Sequence, residues 1–174
     1  MLTVNAARGL AVLRISLGFV FLWAFFDKLF GWSYATPAER AWINGGSPTK
    51  GFLSGVDIGP FQGFFTGIAG QAWADWLFML GLLGVGAALL LGIGLRLAAG
   101  AGTLMMLLMW FAEFPPARTT SAGEATHSTN PIMDYHLVYA LGVIVTMLTY
   151  AGHTWGLGRQ WAKLPFVQRN RWLI

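Results

Sequence analysis

Residues Leu10 to Trp32, LAVLRISLGFVFLWAFFDKLFGW, form an apolar run whose polar groups lie near its two ends. Leu10 to Phe30, at about 1.5 Å per helical residue, is long enough to cross a hydrocarbon core of about 30 Å. Arg14 and Ser16 sit close to its start, and Asp27 and Lys28 at its finish. At about 100° per residue Arg14, Gly18, Phe21, Phe25 and Lys28 fall on one stripe, while Asp27 points elsewhere. The stripe predicts the face that packs on neighbouring helices, and it turns Lys28 inward.

The composition agrees with a membrane chain. Of 174 residues 56% are hydrophobic and only 10% charged, with a positive mean hydropathy, whereas soluble domains carry about 25% charged residues. No internal repeat or low-complexity tract interrupts it. The absence of cysteine excludes disulfides, thiol catalysis, Fe–S clusters and covalently attached haem. The net charge of +4 is spread along membrane boundaries rather than gathered in a stripe, which fits anionic lipid headgroups and no nucleic acid.

Outward from the first span, Trp76 to Leu95 reads as the second, with Trp73 and Trp76 as interface anchors and Arg96 as its stop. Gly84, Ala88 and Gly92 form a ladder of small residues on which another helix can approach closely. Ala98 to Phe114 follows after a tight turn at Arg96, and its Met105, Met106 and Met109 read as adaptable packing. Asn130-Pro131 opens a fourth span, 131–151, with Asn130 as cap and Asp134 in the first turn. The connection 33–72 is too long to be featureless. Thr36-Pro37-Ala38-Glu39 predicts a capped helix start there, and Pro60 to Ile68 an aromatic segment lying on the membrane surface. The tail 152–174 mixes Arg159, Lys163, Arg169 and Arg171 with Trp155, Trp161 and Trp172, as an interfacial segment does.

The predicted architecture is therefore all-α, an integral membrane four-helix bundle forming a single domain over 1–174. Its spans lie at about 10–30, 76–95, 98–114 and 131–151, with an extracytoplasmic capping segment at 33–72 and a C-terminal interfacial tail. With four spans both termini share a side. That side carries Arg8, Arg14, Arg96, Arg159, Lys163, Arg169 and Arg171 against Lys28, Arg40, Lys50 and Arg118 opposite, so the positive-inside rule places both termini in the cytoplasm of a cell-membrane protein. Asp27, Glu39, Asp57, Asp75, Glu113, Glu124 and Asp134 all fall on the outer side.

Each span then brings a polar group to one outer level: Asp27 and Lys28, Asp75, Glu113, and Asp134 with His136. Ionisable groups in or beside a span default to functional candidates, although Asp75 and Asp134 also sit where a helix dipole welcomes an anion. Arg14 lies close enough to the boundary to snorkel. His136 and His153, 17 residues apart, lie about 25 Å apart along a helix and cannot share an iron, and His127 adds too little for a metal claim, so no haem or metal is expected. Lys28, Glu113, His136, Asp134 and Asp27 are the candidate catalytic groups. Trp23, Phe25, Trp110 and Tyr139 back them as a quinone-holding set, and Lys28, Arg40 and Arg118 are candidate anion ligands. Lysine or histidine can donate to a quinone carbonyl, and carboxylates can relay the protons that reduction consumes.

Leu13-Arg14-Ile15-Ser16-Leu17-Gly18, Phe21-Leu22-Trp23 and Asp27-Lys28-Leu29-Phe30 resemble the opening helix of the DoxX/DoxD family of small four-helix membrane proteins. Trp42 to Thr49, Trp73 to Met79 and Asn130 to His136 resemble its DoxD-type branch, the large membrane subunit of thiosulfate:quinone oxidoreductase. Tyr135 stands where that branch is expected to carry a second acidic residue. The resemblance implies oxidation of thiosulfate to tetrathionate with electrons passing to quinone as substrate. A chain without its own electron carrier passes electrons directly between substrates or through a partner, here a second small subunit or a soluble oxidoreductase. The rival reading is an accessory or scaffold protein that anchors a soluble oxidoreductase without catalysis of its own, alone or as a homo-oligomer in the bilayer. A small-solute transporter is weaker, because four spans leave little room for an alternating pathway.

Overall fold

The computed structural model describes residues 2–174, and no β-strand occurs among them; one isolated antiparallel bridge joins Thr119 and Ala125. The α-helices are α1 (Val4–Phe30), α2 (Lys50–Leu53), α3 (Gln62–Ile68), α4 (Ala72–Leu91), α5 (Leu95–Glu113), α6 (Tyr135–Leu148), α7 (Gly158–Trp161) and α8 (Pro165–Arg169). α1, α4 and α5, with 27, 20 and 19 residues, are long and apolar enough to cross a membrane. α6 is apolar but has only 14 residues, about 21 Å of helix.

The expected boundaries shift for local reasons. The turn between α4 and α5 lies at Gly92 (φ 74°) and Gly94 (φ 56°), left-handed conformations that suit glycine, so Arg96 sits inside α5 rather than in the turn. Asn130 does cap, through Oδ1 to the Ile132 and Met133 amides at 2.9 and 2.8 Å, but the turn it closes stops short of a helix. α6 starts later, where Asp134 Oδ1 accepts the Leu137 amide at 3.1 Å, so Asp134 is the cap and lies outside the first turn. The capping box at Thr36 does not form. Ala38–Arg40 and Trp42–Asn44 are 3-10 turns without a side-chain cap. Ala38 packs closely on Gly31, where a Cβ would lie 2.6 Å from Ala38 Cα.

The chain divides into two compact units. One comprises the residues up to Trp23, Gly81–Thr103 and Tyr139–Ile174. In it α1 and α4 meet at glycines: a Cβ on Gly18 would lie 2.8 Å from Leu90 N, and one on Gly86 2.7 Å from Leu22 Cγ. The close face of α4 thus runs through Gly86, while Gly84 of the expected ladder faces open space. Arg14 does not snorkel. It is fully buried and donates to the carbonyls of Leu89, Leu90 (2.8 Å), Trp155 (2.9 Å) and Thr154 (3.4 Å). Its charge thereby caps the α4 C-terminus, where helix carbonyls lack partners, and ties the tail to it. Gly152 makes the tie possible, since a Cβ there would lie 2.1 Å from Gly92 O. Trp155, Leu164, Phe166 and Trp172 of the tail remain exposed beside Arg159, Lys163 and Arg169.

The other unit comprises Ala24–Leu80 and Leu104–Val138. Val56 and Phe65 pack with Ala112 in its core, flanked by Leu53, Ile68 and Phe111, so the aromatic segment of the long connection folds onto the end of α5. Two carboxylates tie that connection down. Asp27, buried rather than outward-facing, accepts the Tyr34 and Ala35 amides at 3.2 and 3.0 Å. Asp75 Oδ1 accepts Ser47 Oγ (2.9 Å), Thr49 N (3.0 Å) and Thr49 Oγ1 (2.6 Å). Asp57, on the surface, accepts the Ser121 amide and hydroxyl at 2.7 and 2.6 Å, and these bonds hold its carboxyl below the usual carboxylate range.

Candidate functional site

Helix ends in the second unit bring Glu113, Asp134 and His136 together. Glu113 closes α5, Asp134 caps α6 and His136 occupies its first turn. Their nearest ligand atoms all lie within 4.8 Å of one another. His136 is fully buried; its Nδ1 is 2.7 Å from Asp134 Oδ2 and 3.9 Å from Glu113 Oε2. The far oxygen of each carboxylate is held elsewhere: Tyr135 donates its hydroxyl to Glu113 Oε1 at 2.8 Å, and Leu137 N–H binds Asp134 Oδ1. The Tyr135 ring packs 4.0 Å from the imidazole, centroid to centroid. Nε2, on the far side of the ring, is buried with no partner among the described residues. A histidine buried for structure normally satisfies both nitrogens, which sets His136 apart.

A second feature lies in the connection after α1. A cavity of about 790 Å³ is lined by Lys28, Arg40 and Lys50 together with Glu39, Thr36 and Ser47. Among the described residues none of the three cations has an ion-pair partner. Lys28 reaches it from the end of α1, half-buried, with Nζ 6.0 Å from the Phe78 ring centroid. Lys50 was not among the candidate anion ligands; its place follows from the chain returning over Gly46 to Ser54, which no local pattern reveals. Arg118 does not line the cavity. It lies in the polar loop after α5, where its carbonyl accepts the Thr126 amide at 3.2 Å.

The remaining candidates separate. Both oxygens of Asp27 are occupied by backbone amides, a tether that accounts for its burial. Phe25 is buried edge-on to Phe26 at 5.3 Å, and Trp110 donates Nε1 to the Ile132 carbonyl at 2.8 Å while packing on Phe111 and Phe114. Trp23 and Tyr139 belong to the first unit, Trp23 lying 5.6 Å from Phe19. The arrangement in hand is thus a carboxylate-buttressed imidazole and, apart from it, a basic cavity.

No curated protein and no solved structure matches the chain. The family model described as DoxX matches residues 9–113, which is more than half of the sequence and takes in α1, the connection, α4 and α5 through Glu113. The apolar helices and this match together make the protein a multi-pass membrane protein of the DoxX family.

Proposed function

We propose that this protein is the membrane subunit of a quinone-linked oxidoreductase, with a sulfur oxyanion of the thiosulfate kind as electron donor. The observation that carries the reading is the buried imidazole of His136, fixed through Nδ1 by Asp134 and left with a partnerless Nε2. A quinone headgroup offers the oxygen that such a nitrogen meets, and its hydroquinone form the hydroxyl. Of the four aromatic candidates, Phe25 and Trp110 belong to the same unit as His136. The basic cavity supports the donor half. Three cations against one lining carboxylate attract an anion, and the Thr36 hydroxyl lies on the same lining.

The reaction balances without a carrier of the chain's own. Two thiosulfate ions join through a new S–S bond and release two electrons, and quinone takes those electrons together with two protons to become hydroquinone. In this reading α6, extended by its flanking residues, completes a four-helix bundle with both termini cytoplasmic, the connection 33–72 on the outer side, and a soluble oxidoreductase or small subunit as partner.

Purified protein in detergent, given thiosulfate and a short-chain quinone, is expected to bleach the quinone absorbance. His136→Ala is expected to lower kcat at least tenfold, and Lys28→Ala to raise KM for thiosulfate. Absence of any turnover would overturn the reading in favour of an accessory role, and a His136→Ala rate equal to wild type would overturn the site.

A further inference from the structure

We infer that Glu113, Asp134 and His136 form a binding site for one divalent transition-metal ion, Mn²⁺, Fe²⁺ or Zn²⁺. The sequence reading expects no metal here because its histidines are far apart, yet a site of this kind needs only one. Glu113 and Asp134 come within 4.8 Å of each other at their oxygens, and no lysine or arginine pairs with either among the described residues. Two carboxylates at that separation repel each other and favour a cation between them.

The orientation of the groups points the same way. Glu113 Oε1 and Asp134 Oδ1 are held by the Tyr135 hydroxyl and the Leu137 amide, which leaves Oε2, Oδ2 and the imidazole Nδ1 converging. Outer groups that fix the far oxygen of each ligating carboxylate are a usual support of a metal centre. The donor set selects the metal: one imidazole nitrogen and two carboxylate oxygens suit Mn²⁺, Fe²⁺ or Zn²⁺, while Cu⁺ prefers thiolates, which the chain lacks. The two negative charges neutralise a dication. The partly exposed side of Glu113, at 35%, leaves coordination positions open to water or to an oxygen ligand.

His136 is fully buried where these oxygens converge, so its imidazole presents Nδ1 to the site from a fixed position. A metal on Nδ1 displaces the proton now shared with Asp134 and fixes the tautomer with Nε2–H, a donor aimed away from the metal. That last consequence rests on the quinone reading; the metal site itself does not.

The test uses the full chain in detergent, treated with chelator, and Mn²⁺ followed by electron paramagnetic resonance and equilibrium dialysis. One saturable site per chain is expected, with nitrogen coupling from the imidazole in the bound spectrum. Glu113→Gln is expected to weaken binding at least tenfold, and His136→Gln to abolish the nitrogen coupling. Tyr135→Phe, which removes the hydroxyl that holds Glu113 Oε1, is expected to weaken binding less. No saturable site in wild type would overturn the inference, as would Glu113→Gln binding like wild type; because Glu113 is solvent-facing, that variant keeps the test sound if His136→Gln misfolds. Metal binding is read without quinone or thiosulfate, so its failure and that of the proposed function are separate results.

Discussion

Replacing Arg14 by methionine keeps the length and apolar stem of the side chain and removes the guanidinium. The loss strips donors from the carbonyls of Leu89, Leu90 and Trp155, with the weaker contact to Thr154. Hydrogen bonds from a charged donor contribute roughly 1.5–3 kcal/mol each, partly offset because the variant no longer buries a charge. Summed over these bonds and reduced by that offset, we expect a net loss of about 4 kcal/mol. For a chain of this size that is roughly 8–16 °C in Tm. Arg14→Lys retains the charge but not the planar fork, so about half of the loss is expected. The assay is thermal unfolding in detergent by circular dichroism, joined with limited trypsin digestion. Arg159, Lys163, Arg169 and Arg171 lie in the segment that Arg14 ties down, so the methionine variant should be cut there faster while still folded. Unchanged Tm and unchanged cleavage would refute the view of Arg14 as the tie between the α4 terminus and the tail.

Three further outcomes follow from the packing and the tethers. Gly86→Val places a side chain where a Cβ already lies 2.7 Å from Leu22 Cγ, and a loss of about 1–3 kcal/mol is expected, against almost none for Gly84→Val, measured by the same unfolding assay. Asp75→Ala leaves the buried Thr49 amide without an acceptor and is expected to cost about 2–4 kcal/mol, while Asp75→Asn, whose oxygen can still accept, should cost markedly less. Asp57 has its carboxyl held low in the folded chain by Ser121, so its tether is present above the ordinary carboxylate value near ~3.9 and is lost as pH falls through the lowered folded value. The protection factor of the Ser121 amide should fall in that acidic window in wild type, and be low already at neutral pH in Asp57→Asn.

The parts of this molecule legible in its sequence are those governed by local periodicity. The stripe through Arg14, Gly18, Phe21 and Phe25 is buried as the helical repeat requires, with Lys28 half-buried at its end. Three of the four apolar stretches form helices long enough to cross a membrane. What sequence could not show depends on chain segments far apart. Arg14 reads as a snorkelling residue because its partners Thr154 and Trp155 lie 140 and 141 positions away. Asp27 reads as outward-facing because the fold-back of Tyr34 and Ala35 onto its carboxylate has no periodic signature. The capping box at Thr36 is sound local chemistry that the chain does not use, Ala38–Arg40 forming a 3-10 turn with Pro37 at its cap position. At the site, Glu113, Asp134 and His136 were each legible as candidates. Their convergence, and the orphaned Nε2 that sets His136 apart from an ordinary core histidine, needed coordinates.

Direct binding of a short-chain quinone to the purified protein, followed by quenching of tryptophan fluorescence, tests the central claim with no assumption about the electron donor. The account expects saturable quenching in wild type and in Lys50→Gln, and at least tenfold weaker binding in His136→Ala. Equal binding by wild type and His136→Ala would contradict it.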